Sequence, residues 1–143
     1  MSPKQLTPVQ LQFCKQITNK LIKKPISYFF RRPALSDISD GKSRKKYLDV
    51  VKCPMDLETI LKKLNEQKYA SILDWKHDVH LILENCQKYN GEDHPYTDMA
   101  KELFEHLFNS YVEKIPETEE EAWHLQFTKK FSKLVQVIDS KPS

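Results

Sequence analysis

The sequence has 143 residues, 39% hydrophobic and 30% charged, with a formal net charge of +3. That length and balance fit one soluble helical domain with one core, and so small a net charge does not by itself argue nucleic-acid binding. Glycine occurs only at Gly41 and Gly91, which excludes glycine-rich phosphate loops. No apolar run approaches the roughly 20 residues that span a bilayer, and MSPKQLTPVQ lacks the layout of a secretory signal.

Thr7 is placed to cap a first helix, and Pro8 fits its first position. Val9, Phe13, Ile17 and Leu21 recur at helical spacing, with Cys14 and Ile22 on the flanks. This predicts a helix over 8–23, ended by Pro25. From Pro25 to Cys53 no period holds. A nonhelical connection of that length is unusual in a compact domain, and such loops are often functional. Tyr28, Phe29, Phe30, Ala34, Leu35 and Ile38 are too apolar for a free linker. The expectation is an ordered loop packed on the helices, with a mobile tip near Asp40 to Arg44.

Pro54 is expected to open a short second helix with Met55, Leu57, Ile60 and Leu64 inward. Asp56 and Glu58 fall in its first turn, where the helix dipole favours them. Ser71 or Asp74 caps a third helix, on which Trp75, Val79, Ile82, Cys86 and Tyr89 form one buried stripe. Asn90-Gly91 ends it. His94-Pro95 starts a fourth. Its stripe is Tyr96, Ala100, Leu103, Leu107 and Tyr111, thickened by Met99, Phe104 and Phe108, and Ile115-Pro116 stops it.

Trp123, Phe127, Phe131, Leu134 and Ile138 predict a fifth helix over 117–139, led by glutamates that suit its dipole. It is expected to fold back on the bundle rather than pair with a second chain, because exposed aromatics would leave a large apolar patch. The fold class is all-α: four main helices in a bundle, a long ordered loop between the first two, and an extra C-terminal helix.

Cys14, Cys53 and Cys86 are isolated and odd in number. They are expected to be small buried apolar residues in a reducing compartment. His77 and His80 lie three apart with no third ligand evident, so no metal is expected, and no cofactor. Between Arg31 and Lys46 stand six basic residues against two acidic ones. That cluster is either a solvated loop or a contact surface for phosphate or an acidic partner.

Two segments carry the chemistry, YLDVVKCPMDL (Tyr47 to Leu57) and NCQKYN (Asn85 to Asn90). A phenol and a carboxamide converging on an apolar pocket suit a neutral amide ligand. They do not suit bond-making, since there is no nucleophile–base pair, metal set or cofactor loop, and no enzyme is expected. Asn90 alone would read as a helix C-cap, and Tyr47 alone as core packing.

With Phe30-Arg31-Arg32-Pro33, which looks like a shelf motif, these segments stand in an order and spacing that resemble a bromodomain, over residues 6–116. The resemblance implies a left-handed four-helix bundle that reads acetyl-lysine. Asn90 would hydrogen-bond the acetyl carbonyl, and Tyr47 would reach it through a water. Phe30 would line the floor near the methyl group. Tyr96 would stand as gatekeeper beside the lysine stem, and Cys86 and Tyr89 would line the pocket from the third helix.

The sequence departs from the family pattern at Phe29, where many members have proline, and at Ala34, where valine is frequent. Ala34 implies a wider pocket, and Leu35 and Ile38 are both candidates for its lining. The implied partners are acetylated histone tails. Lys42, Arg44, Lys45 and Lys46 could add a weak contact to nucleosomal DNA. The implied setting is nuclear chromatin, within a monomeric module of a larger protein and without membrane contact. The alternative is an interaction-only helical domain with a degenerate pocket, binding through the basic loop or the C-terminal helix.

Overall fold

The computed structural model of the protein describes residues 5–115, of which those up to Glu113 form one compact unit. The helix predicted over 117–139, with Trp123, Phe127 and Phe131, lies outside the described residues. So does the packing expected of it.

Helix α1 (Pro8–Lys23) begins where the sequence predicts. The Thr7 hydroxyl accepts from the Gln10 amide at 3.2 Å, while the Gln10 side chain accepts from the Thr7 amide at 3.0 Å. This reciprocal box satisfies two of the donors that a helix start leaves unpaired. Cys14, Ile17, Thr18 and Leu21 are buried. Burial pushes the Cys14 thiol up to about 12, which leaves it unreactive.

The connection from Pro25 onward is more regular than expected. It contains two 3-10 turns, Pro25–Phe30 and Ala34–Asp37, and then a helix, α2 (Gly41–Val50). The tip expected to be mobile is the first turn of that helix. Asp40 caps it by accepting from the Ser43 amide at 2.9 Å, and this bond holds the Asp40 carboxyl below its ordinary range. Helix α2 has no fully buried residue, so it shows no apolar stripe and its period is invisible in the sequence.

Arg31 staples the first turn. Its Nε donates to Ser27 Oγ at 2.9 Å and its Nη2 to the Lys24 carbonyl at 2.9 Å. The Arg31 carbonyl accepts from the Glu58 amide at 2.9 Å, tying the loop to the start of α3 (Leu57–Asn65). That start is a correction, because Pro54 does not open the helix. Asp56 caps it instead, with its carboxylate accepting from the Thr59 amide at 2.8 Å and the Thr59 hydroxyl at 2.6 Å.

Helix α4 (Ile72–Asn90) is capped by Ser71, one of the two predicted candidates. Trp75, Val79, Ile82 and Cys86 are buried as expected, whereas Tyr89 is 41% exposed. At the end of α4 the stripe passes out of the core to the mouth of a cleft. Gly91 follows at φ 89°, a conformation that favours glycine at a helix end.

The last rod runs from α5 (Pro95–Lys101) through a π-helical segment (Glu102–Leu107) into α6 (Phe108–Val112). The wider π turn accommodates an extra residue, so the buried stripe moves one position on. Leu103, Phe104 and Phe108 are buried, while Leu107 and Tyr111, both expected inward, are only partly covered.

Helix α1 packs on α3, α4 packs on α5, and the first 3-10 turn packs against α5. Trp75 and Phe108 meet edge to face at the centre, with ring centroids 5.0 Å apart. Of the cysteines expected inside, Cys14 and Cys86 are buried and Cys53 is exposed. Its carbonyl has the structural part, accepting from Asn85 Nδ2 at 2.8 Å and so fastening the segment before α3 to α4.

Helices α3 and α4 are also joined by Asp78, which accepts from Lys63 Nζ and from the Tyr69 hydroxyl, each at 2.6 Å. Burial, and then the bond to Asp78, push the Tyr69 phenol well above its ordinary range. A phenol whose pKa is raised by folding adds stability that is present below its unfolded pKa of about 10 and is lost as pH climbs beyond it. Tyr69→Phe is therefore expected to cost about 1 kcal/mol near neutral pH. In urea unfolding followed across pH, that deficit should shrink above about pH 10. A deficit independent of pH would contradict this account.

Candidate functional site

One end of the bundle holds a cavity of about 210 Å³. Phe29, Phe30, Arg32, Ala34, Asp37 and Ile38 of the long connection form one wall, with Tyr47 of α2 and Met55 beside them. Ile82, Asn85, Cys86, Tyr89 and Asn90 of α4 and Tyr96 of α5 form the other. All seven residues singled out from the sequence (Phe30, Ala34, Tyr47, Cys86, Tyr89, Asn90 and Tyr96) therefore line one cavity. Of the two loop candidates, Ile38 lines it and Leu35 does not.

Phe30 is buried and rests edge to face on Phe104, with centroids 5.4 Å apart, so the core fixes its place in the lining. Tyr47 and Tyr89 meet across the cleft, again edge to face, at 4.9 Å. Burial raises the Tyr47 phenol above its ordinary range, helped by nearby Cys86, Tyr89 and Asp56. The phenol thus stays a neutral hydroxyl at physiological pH. Phe29 lies against Tyr96 at 4.4 Å, and Tyr96 also meets His94 at 5.0 Å. Phe29 therefore adds a second ring beside Tyr96 in the cavity wall.

Asn90 is the last residue of α4, and its Nδ2 donates to Cys86 Sγ at 3.4 Å. Among the described lining residues only Arg32 and Asp37 carry charge, and they pair with each other at 3.3 Å on the exposed rim. A pair so exposed contributes little to stability. The depth of the cavity is lined by apolar and neutral polar groups. Such a lining does not compensate a desolvated charge, but it does accept a neutral amide.

The sequence did not place Phe29, Arg32, Asp37, Met55, Ile82 or Asn85 in the lining. Asn85 left a readable trace, a carboxamide beside Ile82 and Cys86 on a helix face that is otherwise apolar. Arg44 stands out differently. Its Nη1 donates to the Leu35 carbonyl at 2.7 Å and the Ile38 carbonyl at 3.0 Å, so it clamps the loop that carries Ala34, Asp37 and Ile38. No helix among the described residues is long and apolar enough to cross a membrane, and those residues show no cluster suited to a metal ion.

The sequence model described as Bromodomain matches residues 14–102 of this chain. An ankyrin repeat, bromo and BTB domain-containing protein of Dictyostelium discoideum is 37% identical over 106 residues, which is 74% of this chain and 13% of that protein. Transcription initiation factor TFIID subunit 1 of Drosophila melanogaster is 36% identical over 106 residues, 73% of this chain and 5% of that protein. Bromodomain-containing factor 1 of Saccharomyces cerevisiae is 36% identical over 102 residues, 70% of this chain and 14% of that protein. The chain spans a small part of the length of each of these relatives.

Proposed function

The chain belongs to the bromodomain family, and from that premise we propose that it binds acetylated lysine on histone tails as a nuclear chromatin module. The observation that carries this reading is the neutral cavity ending on the Asn90 carboxamide, with the Tyr47 hydroxyl in its wall. Acetylation turns a lysine ammonium into a neutral amide whose carbonyl requires a donor. Asn90 donates without bringing charge into a largely apolar site. Tyr47 serves the same oxygen through a water, Phe30 underlies the methyl group, and Tyr96 flanks the stem. Cys86 and Tyr89 close the α4 side, and Ala34 leaves room on the loop side. An unmodified ammonium would have to shed its water and face donors with donors, so the contact that recognises also rejects.

No step of this function makes or breaks a covalent bond, and it uses no cofactor. The acetyl-butyl tip has roughly seven to eight heavy atoms, which by ligand-efficiency bounds gives a Kd of roughly 0.05–1 mM. Flanking peptide contacts add to it. A relative named as a transcription initiation factor subunit supports a setting in transcription, with this module forming one part of a larger protein. Titration with matched acetylated and unmodified histone-tail peptides tests the reading. Acetyl-dependent binding supports it. Equal binding of both peptides would favour the interaction-only alternative.

The basic surface receives a narrower role. Lys42, Lys45 and Lys46 are exposed on α2 and suit a weak contact with nucleosomal DNA, but the Arg44 guanidinium is already committed to two carbonyls. Arg44→Lys keeps the charge and loses the fork-shaped clamp. It is expected to weaken acetyl-peptide binding several-fold while leaving the salt dependence of DNA binding unchanged. A variant that loses DNA affinity and keeps peptide affinity would reverse that assignment.

A further inference from the structure

Behind the cavity, Thr97 is fully buried, and it is absent from the cavity lining. Its Oγ1 donates to the Gly91 carbonyl at 2.6 Å and lies 3.8 Å from Cys86 Sγ, which in turn lies 3.4 Å from Asn90 Nδ2. The chain Gly91, Thr97, Cys86, Asn90 ends on a carbonyl, and a carbonyl only accepts. The one Thr97 hydroxyl proton therefore goes to Gly91. That leaves Thr97 Oγ1 as an acceptor toward Cys86, so the thiol proton points to Thr97. The sulfur then offers only lone pairs to Asn90, and the atom it faces must be the amide nitrogen.

The bond chain thus orients the carboxamide before any ligand is bound. Turned the other way, Asn90 Oδ1 would meet the sulfur lone pairs with no proton between them, an unmatched polar pair in a part-buried place. The bonds to sulfur are weak individually. Their direction is nonetheless set by the short Thr97–Gly91 bond, whose donor Thr97 is fully buried.

We propose that Thr97, acting through Cys86, is a positioning residue that sets which way the Asn90 carboxamide faces and so sharpens discrimination between acetylated and unmodified lysine. The proposal rests on the acetyl-lysine reading above. With Nδ2 held on the sulfur, its second hydrogen is the donor available to an acetyl carbonyl. If the amide turns over, an oxygen takes that place, and an oxygen accepts from an ammonium.

The test compares wild type, Thr97→Val, Thr97→Ser and Asn90→Ala, titrated with one histone-tail peptide acetylated and unmodified. Thr97→Val keeps shape and loses the hydroxyl. It is expected to lower the ratio of acetylated to unmodified affinity about tenfold, the size of one lost buried hydrogen bond. Thr97→Ser restores the hydroxyl and is expected to restore the ratio. The Asn90 side-chain amide resonances should move in Thr97→Val and return in Thr97→Ser. A purely structural role would lower thermal stability and leave both the ratio and those resonances in place, which would overturn the proposal.

Should Thr97→Val not fold, Cys86→Ala removes the sulfur acceptor and is expected to lower the same ratio. An unchanged ratio there would overturn the proposal equally. If wild type itself shows no preference for the acetylated peptide, or Asn90→Ala does not abolish that preference, the reader assignment fails rather than the positioning role.

Discussion

Replacing Asn90 by aspartate is expected to abolish measurable acetyl-peptide binding, a loss of at least about 100-fold. The shape of the side chain is kept, so the effect isolates its chemistry. An aspartate carboxylate only accepts, and the acetyl carbonyl only accepts, so the central contact becomes a repulsion. The carboxylate must also be desolvated in a cavity whose depth is neutral. Asn90→Ala is the milder control. It removes the donor without adding charge and is expected to cost roughly 10- to 100-fold. Asn90→Asp is further expected to gain affinity for unmodified lysine, since an ammonium supplies the proton and charge that the carboxylate lacks. Peptide titration by calorimetry reads both changes. Equal behaviour of the Asp and Ala variants would show that the contact is steric rather than polar.

The second large effect concerns the core. Trp75→Ala is expected to destabilise the fold by about 3–5 kcal/mol, a large part of the roughly 5–15 kcal/mol that domains of this kind possess. Trp75 is fully buried, meets Phe108 edge to face, and donates from Nε1 to Thr18 Oγ1 at 3.2 Å. Thr18 in turn donates to the Cys14 carbonyl at 2.7 Å, so the indole completes a bond system that joins α4 to α1. Truncation leaves both a cavity and a less satisfied hydroxyl. Trp75→Phe keeps most of the volume and loses the N–H, and is expected to cost less than half as much. Urea unfolding separates the two variants. A Phe variant as unstable as the Ala variant would mean that the hydrogen bond, not the packing, dominates at this position.

The sequence was most legible where local chemistry and pattern coincided. Helix α1 shows its limits openly because Thr7, Pro8, Gln10 and Pro25 all mark its ends and its apolar face is regular. Helix α2 left no such mark, since none of its residues is fully buried, Tyr47 is only partly covered, and its other large apolar residues, Leu48 and Val50, are exposed. Its start depends on a cap by Asp40 and a side-chain clamp by Arg44, neither of which carries a period. The displaced stripe of the last rod was hidden for another reason. A π turn changes the number of residues per turn, and a search at 3.6 residues then assigns Leu107 to a place that Phe108 occupies.

The site was legible in its named residues and obscure in its frame. Asn90, Tyr47 and Phe30 stood in recognisable motifs, and they share one cavity. Met55 and Asn85 fall inside the same two motifs, but that they join the lining, with Ile82, is decided by tertiary packing rather than by local pattern. Tyr89, expected both in the buried stripe and in the pocket lining, lines the cavity but is 41% exposed, because the end of α4 emerges from the bundle where the cleft opens. The polar chain behind Asn90 was equally hidden. It links residues up to eleven positions apart through one hydroxyl and one thiol, and only their placement gives it a direction.

The most direct test of the central claim is an NMR titration of the protein with free N-ε-acetyl-lysine, read residue by residue and paired with the same titration using lysine. The account predicts saturable shifts in the acetyl-lysine series at the Asn90 side-chain amide, Tyr47 and Cys86, with a Kd on the order of 0.05–1 mM. It predicts no comparable shifts with lysine. Shifts of equal size with both compounds, or acetyl-dependent shifts that leave the Asn90 amide unmoved, would contradict it.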